Sequence, residues 1–275
     1  RIFDSLLFWK YDILFSYFYR YSFFAALLAK CFGKKTYFTG GIDSLDSDYA
    51  SAFNYKIQAL FFKLCYWVAD SCIIVSQSDL KNIFKVSSLK KKLSYSEHVI
   101  NTKLFIADVP KEKIFTSIVW MGDEGNVVRK GVDKALQIFA ELKKIPEFVD
   151  YRFVIIGRKG EGEVLVRSII DKYNLKGSVE LKGEVSEEDK INLLKQSKYY
   201  FQLSLYEGFG LAALEALCAN NIIIHSGKGG LDNPIYKEQL LFDIDNDFDS
   251  ELLKLVNKLA CFTPITSYDN LLEYY

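Results

Sequence analysis

Tyr199-Tyr-Phe-Gln-Leu203, then Glu207-Gly-Phe-Gly-Leu-Ala-Ala-Leu-Glu215, is the most informative stretch of this 275-residue chain. Residues 199–203 are a short apolar and aromatic run bounded by turn signals, which suits a buried strand. Gly208 and Gly210 punctuate the chain. The Leu- and Ala-rich segment from Gly210 to Ala219 has the composition of a helix. A strand, a glycine loop and a helix in that order are one step of a parallel α/β sheet.

The same step recurs on both sides. Upstream, Lys113–Met121 reads as a strand, and Gly131–Lys144 as a helix with apolar residues at 132, 135, 136, 139 and 142. Tyr151–Ile156 is a strand closed by Gly157, Val164–Tyr173 a helix, and Val179–Leu181 a strand ahead of Gly183. Ser186 is the expected cap of a helix that runs through Gln196, with acidic residues in its first turn. Downstream, Ile222–Ile224 and Leu240–Phe242 read as strands, Gly227–Gly230 as a loop and Ser250–Leu259 as a helix. Residues 113–261 therefore read as one parallel-sheet domain.

Residues 1–112 repeat the pattern in reduced form. Tyr11–Phe15, Lys35–Thr39 and Ser71–Val75 are strand-like, and Ser22–Cys31 and Phe53–Ala69 have helical spacing. A further helix starts near Asp79, with Ser78 as its expected cap. The Gly122–Asn126 segment reads as a flexible loop whose Asp123 and Glu124 would oppose a phosphate unless they point away, residues 88–111 carry few strong periodic signals, and a linker is expected near Phe105–Lys113. This part is expected to be an incomplete Rossmann-like domain. Residues 262–275, after Pro264, are expected to form a last helix that packs back on it.

Bulk composition narrows the function classes. Half of the residues are apolar, enough for a real core. Residues 1–110 hold fourteen Lys and Arg against nine Asp and Glu, while the remainder is acidic. A nucleic-acid binder would be basic where it binds, so none is expected as a partner. The five Cys show no CxxC spacing and read as small buried residues in a reducing compartment. Two distant His, His98 and His225, make a His-based metal site improbable, and no metal is expected. The longest uncharged stretch near the start is nine residues, Tyr21–Ala29, too short for a membrane span. The chain reads as cytoplasmic. Its aromatic richness and basic first part leave peripheral contact with the inner face of the cell membrane as an expectation.

Ligands of parallel sheets bind at the carboxyl ends of the strands. No GxxxxGK[ST] is present, and no GxGxxG follows a strand, so ATPase and dinucleotide readings lack their motifs. Glu207 leads into a helix start whose free N–H groups can hold a diphosphate. Glu215 lies about one turn inside, among Ala and Leu residues. Carboxylates are apt acceptors for sugar and ribose hydroxyls. The plainer reading is that Glu207 favours the helix N-terminus and Glu215 is a solvated helix residue. Arg129-Lys130-Gly131, before another helix, offers cations to a leaving diphosphate, or is an ordinary basic turn. Arg158 follows Gly157 at a third strand end, where it flanks a base or ribose or is simply solvated.

Glu207-Gly-Phe-Gly-Leu211 with Glu215 resembles the E-x7-E signature of retaining glycosyltransferases of the GT-B fold, family 4. Ile118–Gly122, Lys130-Gly131-Val132-Asp133, Phe153–Gly157, Val179–Val185 and Gly229-Gly230 resemble further segments of that family. Ala69–Ser76 resembles the last strand of its acceptor-side domain. The resemblance implies two Rossmann-like parallel-sheet domains, the first incomplete, and hexosyl transfer from a UDP or GDP sugar to a hydroxyl of a glycan or lipid-linked acceptor. It implies no required cofactor. It assigns Glu207 to the donor hexose, Glu215 to the ribose, Lys130 to the diphosphate, and the N–H groups of Phe209, Gly210 and Leu211 to the phosphate or sugar. Gly122 would belong to the strand–Gly loop, Arg129 would stand in for the family's Arg, and Val185 would lie by the base.

Two positions depart from that pattern. Asp123 occupies the place of the family's Arg after the glycine, and Thr39-Gly-Gly-Ile-Asp43 lacks the family's His. These departures keep a second reading open, a non-catalytic nucleotide-sugar-binding protein.

Overall fold

The computed structural model describes residues 10–17, 19–39, 45, 51–86, 91–106 and 109–261. The expected helix at 262–275 and the loop at 40–43 lie outside them. The chain groups into two compact units. One is Arg1–His98 with Glu207–Phe209, and the other is Val99–Tyr206 with Gly210–Tyr275.

In the first unit β1 (Ile13–Tyr17), β2 (Lys35–Thr39), β3 (Ser71–Ile74) and β4 (Leu93–Tyr95) form a parallel sheet in that order. Helices α1 (Tyr19–Cys31), α2 (Ala52–Val68) and α3 (Gln77–Val86) connect them. Phe38, Phe62, Cys65, Cys72, Ile74 and Ile83 make the core. Two local expectations change. Strand β4 forms in a stretch without periodicity, because backbone pairing with β3 supplies what so short a run lacks. It pairs through Cys72 with Leu93 and Ile74 with Tyr95. Helix α3 is capped two residues earlier than expected, since Ser76 Oγ, not Ser78, accepts the Asp79 N–H at 3.1 Å. The cysteine expectation holds for Cys65, Cys72 and Cys218, but Cys31 is exposed.

The second unit holds β5 (Glu112–Ile118), β6 (Arg152–Ile156), β7 (Val179–Gly183), β8 (Ser197–Gln202), β9 (Ile222–His225) and β10 (Leu240–Leu241). Its helices are α4 (Glu124–Arg129), α5 (Val132–Leu142), α6 (Gly162–Lys172), α7 (Glu187–Gln196), α8 (Leu211–Cys218) and α9 (Phe248–Cys261). All pairings are parallel, in the order β10-β9-β8-β5-β6-β7. The chain thus builds outward from β5 to β7, returns, and builds outward again from β8.

Packing follows from the periodicities. Helix α5 buries Val132, Ala135, Leu136, Ile138, Phe139 and Leu142. Phe115 of β5 stacks between Tyr199 and Phe201 of β8, with ring centroids at 4.6 and 5.1 Å. Each such side chain contributes about 1.5–3 kcal/mol by leaving water. The other face carries Ile114, Val154, Ile156 and Leu193. Lys111 ties two helix ends together. Its Nζ donates to the carbonyls of Leu194, Lys195 and Ala219, which are the unsatisfied acceptors that close α7 and α8.

Two Rossmann-like parallel-sheet units, the first smaller among the described residues, are the architecture of the GT-B type.

Candidate functional site

The strand order of the second unit reverses between β5 and β8. Connections leaving these neighbours run in opposite directions, which opens a crevice at their carboxyl ends. Arg129-Lys130-Gly131 and Glu207–Glu215, two of the sequence segments singled out as chemical, lie on the connections that start there.

After β5 the backbone bends through Val119–Asp123. Asp123, expected to be an awkward loop carboxylate, is the N-cap of α4, and its Oδ1 accepts the Asn126 N–H at 2.6 Å. The Gly122–Asn126 segment is therefore a helix start rather than a flexible loop. Gly122 and Gly125 obscure that in the sequence. Arg129, in the last turn of α4, donates Nε and Nη2 to Asn126 Oδ1 at 3.2 and 2.6 Å. The chain then turns through Lys130 into Gly131, the residue that precedes α5.

Gly131 explains why this turn lies where it does. Its φ is +67°, and a Cβ there would stand 2.0 Å from the carbonyl oxygen of Leu203. Only glycine lets the Lys130-Gly131 backbone press against the end of β8. The Leu205 N–H donates to the Arg129 carbonyl at 2.8 Å and locks the two connections together. The structure thus brings Arg129, Lys130 and Gly131 beside residues 203–205.

The floor beneath is polar and buried. Tyr200 Oη donates to Gln202 Oε1 at 3.2 Å, and Gln202 Nε2 to Ser204 Oγ at 2.8 Å. Ser226 Oγ, from the connection after β9, donates to the Ser204 carbonyl at 2.6 Å. Buried polar groups need partners, and this chain of them fixes the end of β8. Sequence alone singles out none of these residues, because isolated Ser and Gln carry no pattern.

Helix α8 begins after Gly210, whose φ is +86° and whose carbonyl accepts from Tyr236 Oη at 3.3 Å. Leu211 is the first helical residue and is exposed. Glu207 and Phe209 lie on the connection between β8 and α8 and group with the first unit. Glu215 sits in the second turn. It is not a solvated residue, since its carboxylate is paired with Lys190 of α7.

Arg158 and Val185 belong to the other flank. The connection after β6 is zipped to that after β5: Met121 N–H donates to the Arg158 carbonyl at 2.9 Å, and Glu161 N–H to the Gly122 carbonyl at 3.1 Å. The Arg158 side chain is exposed. Val185 lies between β7 and Ser186, the N-cap of α7, and is a half-buried part of the wall of a cavity of about 530 Å³ that Ile156, Glu180, Asp189 and Leu193 also line. Strand order puts β7 three places from β8, roughly 14 Å at the usual strand spacing. Val185 is therefore apart from the Lys130-Gly131 turn, and a single ligand meeting both would have to be long.

His225 ends β9. Burial pushes its pKa down to about 4, against weaker opposing effects of the Tyr236 backbone and Asp232. Its Nδ1 accepts the Gly227 N–H at 3.2 Å. It is a neutral core residue and a poor base. Among the described residues, no cluster of three or more His, Cys, Asp or Glu side chains offers a metal site, and no helix is long and apolar enough to cross a membrane.

Known proteins resemble the chain. A GDP-mannose:cellobiosyl-diphosphopolyprenol alpha-mannosyltransferase of Xanthomonas oryzae is 32% identical over 163 residues, covering 52% of this chain and 40% of that protein. One component of the phosphatidylinositol N-acetylglucosaminyltransferase of Homo sapiens is 30% identical over 105 residues, covering 38% of this chain and 21% of the relative. The chain thus spans less than half the length of either. The structure of a sucrose-phosphate synthase from Thermosynechococcus elongatus superposes with a TM-score of 0.74 at 21% identity, covering 91% of this chain and 65% of that one. Residues 125–259, which contain α5, the β8–α8 connection and Glu215, match the family model of Glycosyl transferases group 1.

Proposed function

We propose that this chain takes part in retaining transfer of a hexosyl unit from a UDP or GDP sugar to a hydroxyl of a glycan or lipid-linked acceptor, in the manner of family 4. The observation that carries the reading is the reversal of strand order at β5–β8, with the Lys130-Gly131 turn pressed against Leu203 on one side and the start of α8 on the other. A turn bearing a cation and a helix N-terminus are together suited to a diphosphate. As the sugar–phosphate bond breaks, negative charge develops on the leaving diphosphate. Fixed donors lower the barrier by meeting that charge without reorganising.

In this reading Lys130 binds the diphosphate, with Arg129 as a second cation. Glu215 accepts from the ribose hydroxyls and Glu207 from the hexose. The N–H groups of Phe209, Gly210 and Leu211 contribute at the phosphate or sugar, Gly122 gives backbone close approach, and Val185 with Arg158 borders the nucleoside. The mannosyl and N-acetylglucosaminyl relatives act, by their names, with a diphosphopolyprenol and a phosphatidylinositol. They support a lipid-linked acceptor here and, with it, work at the inner face of a membrane.

The test is calorimetric titration with a panel of UDP and GDP sugars, followed by a transfer assay on the longest available form of the protein. Lys130→Ala and Glu215→Ala should each weaken donor binding by about ten- to a hundredfold, the range for a lost charged hydrogen bond. Unchanged affinity in both variants would remove the site from the crevice. Donor binding without transfer or hydrolysis would instead favour a nucleotide-sugar-binding protein.

A further inference from the structure

Lys190 carries no signal in the sequence. It lies in the first turn of α7, where charged side chains usually point to water. Here its side chain is only 16% exposed, and that of Glu215 17%. The Lys190 ammonium stands 2.9 Å from each carboxylate oxygen of Glu215 and 2.7 Å from Glu187 Oε1. It also lies over the Phe105 ring, 5.9 Å from the centroid. Burial works against its charge, but the two carboxylates outweigh burial and hold its pKa above the ordinary lysine value.

This geometry has two consequences. A partly buried carboxylate with no cation would be costly, so Lys190 fixes the Glu215 carboxylate in place. A carboxylate has about four acceptor positions. An ammonium placed evenly across both oxygens takes their two inner positions and leaves an outer position on each, where a ribose hydroxyl can still donate. The ion pair also joins the second turn of α8 to the first turn of α7, whose N-cap Ser186 follows Val185. It links the residue proposed for the ribose to the one proposed for the base.

We propose that Lys190 is a positioning residue that holds the Glu215 carboxylate in the orientation that receives the 2′-hydroxyl of the donor ribose. The inference rests on the ribose role of Glu215 given above. A lysine that merely fastened α7 to α8 would affect stability and would not affect how the protein tells ribose from deoxyribose.

The experiment measures Kd for UDP and GDP, and for the 2′-deoxy form of whichever binds more tightly, on the full chain. The ratio of deoxy to ribo Kd should be about tenfold or more in the parent protein. Lys190→Met keeps the apolar stem over Phe105 and should bring the ratio close to one, while Lys190→Arg should restore most of it. Should Lys190→Met fail to fold, Lys190→Gln carries the same expectation. In a Glu215→Gln background, Lys190→Met should change the ratio no further. A collapsed ratio in Glu215→Gln with an unchanged or larger ratio in Lys190→Met would overturn the positioning role and leave the ribose assignment standing. A parent protein indifferent to the 2′-hydroxyl would overturn the ribose assignment, and the role of Lys190 with it.

Discussion

The two sheets are built from the same step and differ in one respect, the order of the strands. In the first unit β1, β2, β3 and β4 lie side by side in chain order. Every described connection runs the same way, so those strands open no crevice among themselves. In the second unit the order turns back at β5, and two connections diverge from neighbouring strands. The segments proposed to bear the chemistry, Arg129-Lys130-Gly131 and Glu207–Glu215, are the ones that leave those strands. Burial differs too. Phe115, Thr116 and Ser117 of β5 and Tyr199, Tyr200, Phe201 and Gln202 of β8 are buried, whereas Ile13, Phe15 and Tyr17 of β1 are exposed. A parallel sheet becomes a binding site where its order reverses, and that place also demands the tightest packing.

Two glycines test the contrast directly. Gly33, after α1, has φ +70°, and Gly131 has φ +67°. The backbone cost of adding a methyl group is therefore the same, about 1–2 kcal/mol. Their surroundings differ. A Cβ on Gly33 meets nothing within 4 Å, whereas one on Gly131 meets the Leu203 carbonyl oxygen at 2.0 Å. Gly33→Ala should cost about 1 kcal/mol, and Gly131→Ala on the order of 4 kcal/mol, with loss of donor binding. Urea denaturation followed by hydrogen exchange reads both. Equal costs would mean that the turn after α4 can move away from β8 and that the crevice is not held by close approach.

The next effect is smaller and depends on pH. The unfolded chain binds a proton at His225 below about pH 6.5, but the folded chain does so only near pH 4. Between these values the unfolded state holds more protons, so this contribution is present at neutral pH and is lost as pH falls from about 6.5 to about 4. The full window amounts to about 3 kcal/mol. Subtracting the curve of His225→Asn isolates it from carboxylate titrations. The loss should fall on amides of β9 and its neighbours in the second unit, while those of β2 and β3 keep their protection. A difference curve flat across that window would show that His225 is not sealed in the core.

Much of this is legible in the sequence, for a physical reason. Strands β6, β8 and β9 are apolar runs because they are buried on both faces, and α5 has a clear 3.6-residue period because one face is buried. What escapes is whatever depends on a partner distant in sequence. Leu93–Tyr95 is a strand only because β3 lies beside it. Helix α4 is hidden by Gly122 and Gly125, and its Asp123 cap looks in sequence like a loop charge opposed to phosphate. The E-x7-E spacing points to Glu215, but nothing in the residue order signals that a lysine 25 residues earlier straddles it. Glycines at 131 and 210 are readable as turn devices. That Gly131 touches β8 requires the strand order, which periodicity does not contain.

The smallest expected effect sharpens the comparison of burial within a single helix. On α2, Phe62 is 1% exposed and Trp67 is 71% exposed. Phe62 belongs to the core with Phe38 and Ile74, and its truncation to Ala should cost about 3–5 kcal/mol. The Trp67 ring leaves little water on folding, and the Trp67 group that does join the structure is its backbone carbonyl, which accepts from Lys92 Nζ at 3.0 Å. A side-chain change leaves that bond intact. Trp67→Gln should therefore shift stability by no more than about 0.5 kcal/mol, because no cavity forms and no buried group loses a partner. Equilibrium urea unfolding of the two variants measures the difference. A loss above about 1 kcal/mol in Trp67→Gln would mean that something covers this face in solution. The exposed aromatics of the first unit would then be an interior surface, and the contrast between the two units would be one of completeness rather than of packing.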